Sequence, residues 1–173
     1  FQKLGLEPYP DLVTVGKMLQ GSAVLYTEAM NPDPELLAGT FAGSSVSLAV
    51  GRRIVERLLS ENFFTPEGRI AALEKSVSFR LETLSHRLGP RGVGERRVCG
   101  TLAAFEPLDG DRRAVQAVLQ ACYRRGVILF LCGSGPFGVR MLLPGGAITE
   151  KDLDYAFDVI FEAVNEVRAT IGP

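Results

Sequence analysis

Pro10-Asp11-Leu12-Val13-Thr14-Val15-Gly16-Lys17-Met18-Leu19-Gln20-Gly21 is an apolar, β-branched run that stops at a Gly-Lys step. Leu12 to Val15 reads as a strand, because β-branched side chains suit a pleated surface. Gly16 and Gly21 open space on either side of Lys17. Most lysines are solvated surface charges. An amine that leaves the end of a strand between glycines is also a seat for a lysine that condenses with a carbonyl group.

Working outward, Ala23 to Tyr26 reads as a second extended piece. Asn31-Pro32-Asp33-Pro34 is a turn by its Asn, Asp and proline content. Thr40-Phe41-Ala42-Gly43-Ser44-Ser45 is a small-residue loop that opens a helix running to about Leu59. Val46, Val50, Ile54 and Leu58 mark one face of that helix, and Ser47, Ala49 and Gly51 permit close packing elsewhere.

Thr65-Pro66 reads as a helix start, threonine as cap and proline at the first helical position. Ile70, Leu73, Val77, Leu81, Leu84 and Leu88 follow at helical spacing, and Gly89-Pro90 stops the run. Val98 to Phe105 is a strand candidate. Asp111 caps a further helix with Val115, Val118, Leu119 and Cys122 inward, ended by Gly126. Val127 to Leu131 reads as a fully apolar strand. Gly138 to Leu143 is another, with Val139, Met141 and Leu143 on one face and Arg140 and Leu142 on the other. Thr149 and Asp152 cap a last helix whose stripe is Leu153, Phe157, Ile160, Val164, Val167 and Ile171. The order from Thr65 onward predicts a small mixed sheet covered by helices.

The 19 basic residues are balanced by 20 acidic ones, so the charge of −1 points to neither nucleic acid nor a membrane surface. The longest apolar run, Val127 to Cys132, is far short of the ~20 residues a membrane helix needs. The start has no signal-peptide pattern, and the opening at Phe1 suggests a fragment or a processed product. Cys99, Cys122 and Cys132 lack metal-ligand spacing and read as reduced, buried thiols.

Two further sites could carry chemistry. Thr40 offers a hydroxyl and nearby backbone N–H groups to an anion, or serves as a plain helix cap. Arg140 stands in an otherwise apolar strand, so its guanidinium needs an anion, from a substrate carboxylate or an internal Asp or Glu. Gly133-Ser134-Gly135-Pro136-Phe137-Gly138 matches G-x-G-x-x-G but precedes a strand, so it reads as a hairpin loop. His86, the lone histidine, reads as a cap or surface residue. No Ser/His/Asp set, P-loop or zinc cluster can be assembled.

With these sites in order, the chain resembles the C-terminal part of a class III (ω-amino-acid) aminotransferase of fold type I. The stretches that carry the resemblance are Pro10 to Lys17, Gly39-Thr40-Phe41-Ala42-Gly43, Gly126-Val127-Ile128-Leu129, and Val139-Arg140-Met141-Leu142-Leu143-Pro144 leading into Ile148-Thr149-Glu150. The resemblance implies an α/β fold, with residues 1–60 ending a large cofactor-binding domain and 61–173 forming a C-terminal small α+β domain. It implies pyridoxal 5′-phosphate as cofactor. Lys17 would form the Schiff base and shuttle the proton, Thr40 would contact the cofactor phosphate, and Arg140 would bind a substrate carboxylate. It also implies a cytoplasmic homodimer with shared active sites. Gln20 and Gly21 resemble the Lys-x-x-Gln form of lysine ε-aminotransferases. Ser44-Ser45 and Leu143-Pro144-Gly145-Gly146 depart from the family pattern.

The activity so implied moves an amino group from an ω-amino acid or amine, such as 4-aminobutyrate, to a keto acid such as 2-oxoglutarate. L-lysine 6-aminotransferase and an aminomutase are the enzyme alternatives. A non-catalytic dimerisation or packing domain with an inert Lys17 is the other. In the family, the aspartate that pairs with the pyridine nitrogen, the stacking aromatic and the glycine-rich phosphate loop precede the segment corresponding to Phe1. This chain alone is therefore expected not to transaminate.

Overall fold

The computed structural model describes residues 4–34, 36, 39–40 and 42–171, in two compact units, 1–62 and 63–173. In the first unit, β1 (Leu12–Val15) and β2 (Ala23–Tyr26) form an antiparallel ribbon that pairs Leu12 with Tyr26 and Val15 with Ala23. The Thr27 N–H extends the ribbon to the Asp11 carbonyl (3.1 Å). A 3-10 turn, Lys17–Leu19, links the strands, and a second covers Glu28–Met30. The helix α1 spans Ser45–Ser60, with Ser44 at the cap position.

None of the described residues of this unit is buried. Leu12, Leu25 and Leu48 are all more than half exposed. The expected inward face of α1 is only partly realised: Ile54 and Leu58 are half-buried, but Val46 is exposed. A two-stranded ribbon does not enclose a core, and such a ribbon needs a further layer for independent stability.

The second unit holds the core. Its elements are α2 (Arg69–Leu88), β3 (Val93–Cys99), β4 (Leu102–Pro107), α3 (Arg112–Arg124), β5 (Phe130–Cys132), β6 (Gly138–Leu142) and α4 (Glu150–Ile171). The strand order is β3-β4-β6-β5, and every neighbouring pair is antiparallel. The mixed sheet expected from the sequence is therefore corrected. β4, α3 and β5 do form a crossover between like-directed strands, but β6 inserts between them and no parallel pair forms. Ala103, Phe105, Val139 and Met141 point to one face and are buried. They pack with Val115, Val118 and Cys122 of α3, Leu153, Ile160 and Val164 of α4, and Val77 and Leu81 of α2. The other face shows Leu102, Phe130, Arg140 and Leu142.

Local signals explain most boundaries. The Asp111 carboxylate accepts from the Ala114 N–H (2.8 Å) and caps α3. At its end Gly126 adopts φ 81°, and the Val127 N–H returns to the Cys122 carbonyl (3.0 Å). Thr149 and Asp152 form the reciprocal box that starts α4.

Three expectations are corrected. The second helix starts at Arg69, not Pro66, because Thr65-Pro66-Glu67-Gly68 closes on itself as a turn, Gly68 N–H to Thr65 carbonyl (2.9 Å). Val98 to Phe105 is not one strand: Gly100, at φ 60°, turns the chain between β3 and β4. Only Phe130 to Cys132 of the apolar run near Val127 is a strand. In addition, Cys99 and Ile171 are exposed, while Cys122 is buried as expected.

Candidate functional site

Lys17 opens the 3-10 turn at the end of β1. Its φ is 53°, the left-handed region, and Gln20 at the other end of the turn has φ 57°. Such conformations cost a non-glycine residue about 1–2 kcal/mol, and they persist where the surroundings impose them. The turn is closed by the Gln20 N–H on the Lys17 carbonyl (2.9 Å) and the Leu19 N–H on the Gly16 carbonyl (3.3 Å). Gly16 lets Ser22 approach: a Cβ on Gly16 would lie 3.0 Å from the Ser22 Oγ. The Lys17 amine is exposed and has no hydrogen bond or ion pair among the described residues.

The sequence marks Gly51 for close packing but does not show against what. Gly51, mid-way along α1, sits against the Leu19 carbonyl, and an added Cβ would lie 2.8 Å from its oxygen. Glycine inside a helix costs about 0.5–1 kcal/mol relative to alanine. The signal was present as a glycine in an otherwise helix-forming stretch, but its partner was not readable.

Thr40 follows Gly39 in a turn closed by the Ala42 N–H on the Gly39 carbonyl (2.9 Å). It is exposed, and its hydroxyl has no partner among the described residues. It does not cap α1, since the cap position is Ser44. Phe41 of the same motif lies outside the described residues.

Arg140 stands mid-way along β6, in register with Ala104 of β4 and Phe130 of β5. Its guanidinium carbon lies 5.8 Å from the centroid of the Phe130 ring, within cation–π range. No carboxylate pairs with it among the described residues. Other arginines of the same unit do find carboxylates: Arg80 meets Glu150 and Asp154, Arg96 meets Glu82, and Arg125 meets Glu166 (2.6 Å). The internal ion pair weighed for Arg140 is thus not made among those residues.

Lys17 and Thr40 belong to the first unit and Arg140 to the second. The G-x-G-x-x-G stretch forms the β5–β6 hairpin loop, as read from the sequence. His86 is a surface residue beside Glu82 (3.1 Å). Among the described residues no cluster of His, Cys, Asp or Glu could hold a metal ion, and no helix is long and apolar enough to cross a membrane.

The model of the class III aminotransferase family matches residues 2–164, and the chain belongs to that family. A search of curated proteins gives no match. Among solved structures, the chain is similar to the lysine aminotransferase from M. tuberculosis in its internal aldimine form. Identity is 24%, with a TM-score of 0.81 over 96% of this chain and 38% of that one. It is also similar to a transaminase from the marine bacterium Virgibacillus, at 20% identity and TM-score 0.80 over 97% of this chain and 42% of that one. An aminotransferase of Bacillus anthracis is 20% identical, with TM-score 0.72 over 94% of this chain and 41% of that one. These likenesses are of fold. The chain spans about two fifths of the length of the structures it matches.

Proposed function

We propose that the whole protein to which this chain belongs is a pyridoxal-phosphate-dependent aminotransferase. In this reading it moves an amino group from an ω-amino acid or amine, such as 4-aminobutyrate or the side chain of lysine, to a keto acid such as 2-oxoglutarate. The observation that carries the reading is Lys17, held in a left-handed turn at a strand end with its amine unpaired among the described residues. The donor set fits the cofactor and a carboxylate substrate by chemistry: an amine for a carbonyl, a hydroxyl for a phosphate and a guanidinium for a carboxylate.

When bound, pyridoxal phosphate supplies an aldehyde that condenses with amines and a ring that accepts the electron pair left as Cα loses its proton. Lys17 would hold the cofactor through its Nζ. Once free, the Lys17 amine would take the proton from the carbon bearing the donor's amino group and hold it for return on the far side of the nitrogen. Thr40 donates its hydroxyl to the phosphate. Arg140 binds the substrate carboxylate, and the face of Phe130 steadies its guanidinium. The exposed apolar surface around Lys17 is expected to be covered by the remainder of the large domain and by a second copy in a cytoplasmic homodimer.

The test is on the intact protein, loaded with pyridoxal phosphate, reduced with borohydride and mapped by mass spectrometry. Covalent label on Lys17, and loss of at least about 10³-fold in turnover in Lys17→Ala, are expected. Label elsewhere, or near-normal turnover in Lys17→Ala, would overturn the assignment. Dependence on a keto acid separates a transaminase from an aminomutase.

A further inference from the structure

Gly51 lies in the middle of α1, where alanine is the better helix former. The backbone there is helical, so any residue adopts it. What excludes a side chain is distance: a Cβ at this position would lie 2.8 Å from the Leu19 carbonyl oxygen and 3.9 Å from its carbonyl carbon. The atom struck is backbone, and it cannot rotate away as a flexible side chain would.

Leu19 is the last residue of the 3-10 turn that begins at Lys17. The turn is three residues long and internally bonded, and non-glycine residues in the left-handed region bracket it. A displaced Leu19 carbonyl therefore moves the Lys17 backbone two residues away, because the hydrogen bonds of the turn tie them together. α1 also meets this segment at Gly21, where a Cβ would stand 3.8 Å from the Ser47 Cβ, an ordinary contact. Of these two glycines, only Gly51 leaves no room for a side chain.

We propose that Gly51 is a positioning residue for Lys17. Its missing side chain lets α1 seat against the Leu19 carbonyl, and this seat holds Lys17 in its left-handed conformation and sets where its amine is delivered. Gly51 touches no reacting atom and acts through the turn. The proposal rests on the reading of Lys17 as the lysine that condenses with the cofactor.

The experiment compares Gly51→Ala with the unmodified intact protein, using Arg53→Ala on the exposed side of α1 as control. Gly51→Ala is expected to lower kcat about 10- to 100-fold, the scale of a misplacement near 1 Å. The KM of the amino donor should stay within about threefold, because uniform binding is untouched. The pH midpoint of the bound cofactor's visible absorbance should shift, since the environment of the amine changes. Far-UV helicity should hold or rise, as alanine favours helix. Arg53→Ala should leave all of these unchanged. A Gly51→Ala protein with unmodified kcat and pH midpoint overturns the proposal. Gln20→Gly loosens the same turn without adding an atom, so it decides the matter if Gly51→Ala does not fold: a shifted midpoint supports the proposal and an unchanged one overturns it. Absence of borohydride label on Lys17 in the unmodified protein overturns the functional reading itself, and this proposal with it.

Discussion

The guanidinium of Arg168, near the end of α4, donates from Nη1 to the carbonyl of Leu88, the last residue of α2 (2.8 Å). That carbonyl is one of the four that a helix C-terminus leaves without an intrahelical donor, and a cation there also faces the negative end of the helix dipole. Arg168 thus ties the ends of two core helices. Arg168→Ala is expected to destabilise the fold by about 1.5–3 kcal/mol, the range for a hydrogen bond to a charged group. Urea unfolding of the two proteins measures it, and an unchanged midpoint would refute the role.

Asp152 accepts from the Thr149 hydroxyl (2.7 Å) and the Thr149 N–H (2.8 Å). The hydroxyl first, and then the backbone N–H, hold its carboxyl below the ordinary value of 3.8. A depressed carboxyl contributes stability above its unfolded value that is lost as pH falls through the folded one. Melting temperature should therefore decline on acidification below about pH 4. Asp152→Asn should flatten that decline, and a curve parallel to the original would count against the box.

Cys122 is buried in the core, and burial pushes its thiol from 9.0 up to about 11, with Arg125 partly opposing. At pH 8 it stays a thiol shielded from reagent, whereas Cys99 is exposed. Iodoacetamide followed by peptide mapping should label Cys99 quickly and Cys122 only on unfolding. A raised value also means stability that is full below pH 9 and drains as pH rises towards about 11.

Arg140 carries the substrate prediction. In the intact enzyme Arg140→Ala should lower kcat/KM for carboxylate-bearing substrates by about 10- to 150-fold, the equivalent of 1.5–3 kcal/mol. Simple amines without a carboxylate should be affected far less. Arg140→Lys should restore only part, since an ammonium lacks the planar two-pronged donor. Equal losses for both substrate types would remove Arg140 from carboxylate recognition.

Where the sequence was read correctly, the cause is local. The Asp111 cap, the Thr149–Asp152 box and the Gly126 stop are satisfied within a few residues of themselves. The alternation of Val139 and Met141 against Arg140 and Leu142 follows from the period of a strand and survives intact. At the start of α2, where the reading failed, a local turn and a distant partner both intervene. Thr65-Pro66 carries a helix-start signature, yet the helix waits until Arg69, where the Ile70 N–H reaches the Phe63 carbonyl (3.1 Å) and the Arg69 Nε reaches the Gly145 carbonyl (2.6 Å). The cap signature cannot register a partner 76 residues away.

The sequence by itself determined where the four helices lie, the Asp111 cap, the Thr149–Asp152 box and most of the inward stripe of α4, and it singled out Lys17, Thr40 and Arg140 as candidates, because periodicity, capping and family-like motifs are written along the chain. The tertiary structure alone decided that β6 separates β4 from β5, that Arg140 meets an aromatic ring rather than a carboxylate among the described residues, and that Lys17 stands in the left-handed region, in a turn whose Leu19 carbonyl lies against Gly51. Strand order and close approach depend on which distant segments share a surface, and a one-dimensional pattern does not encode those pairings.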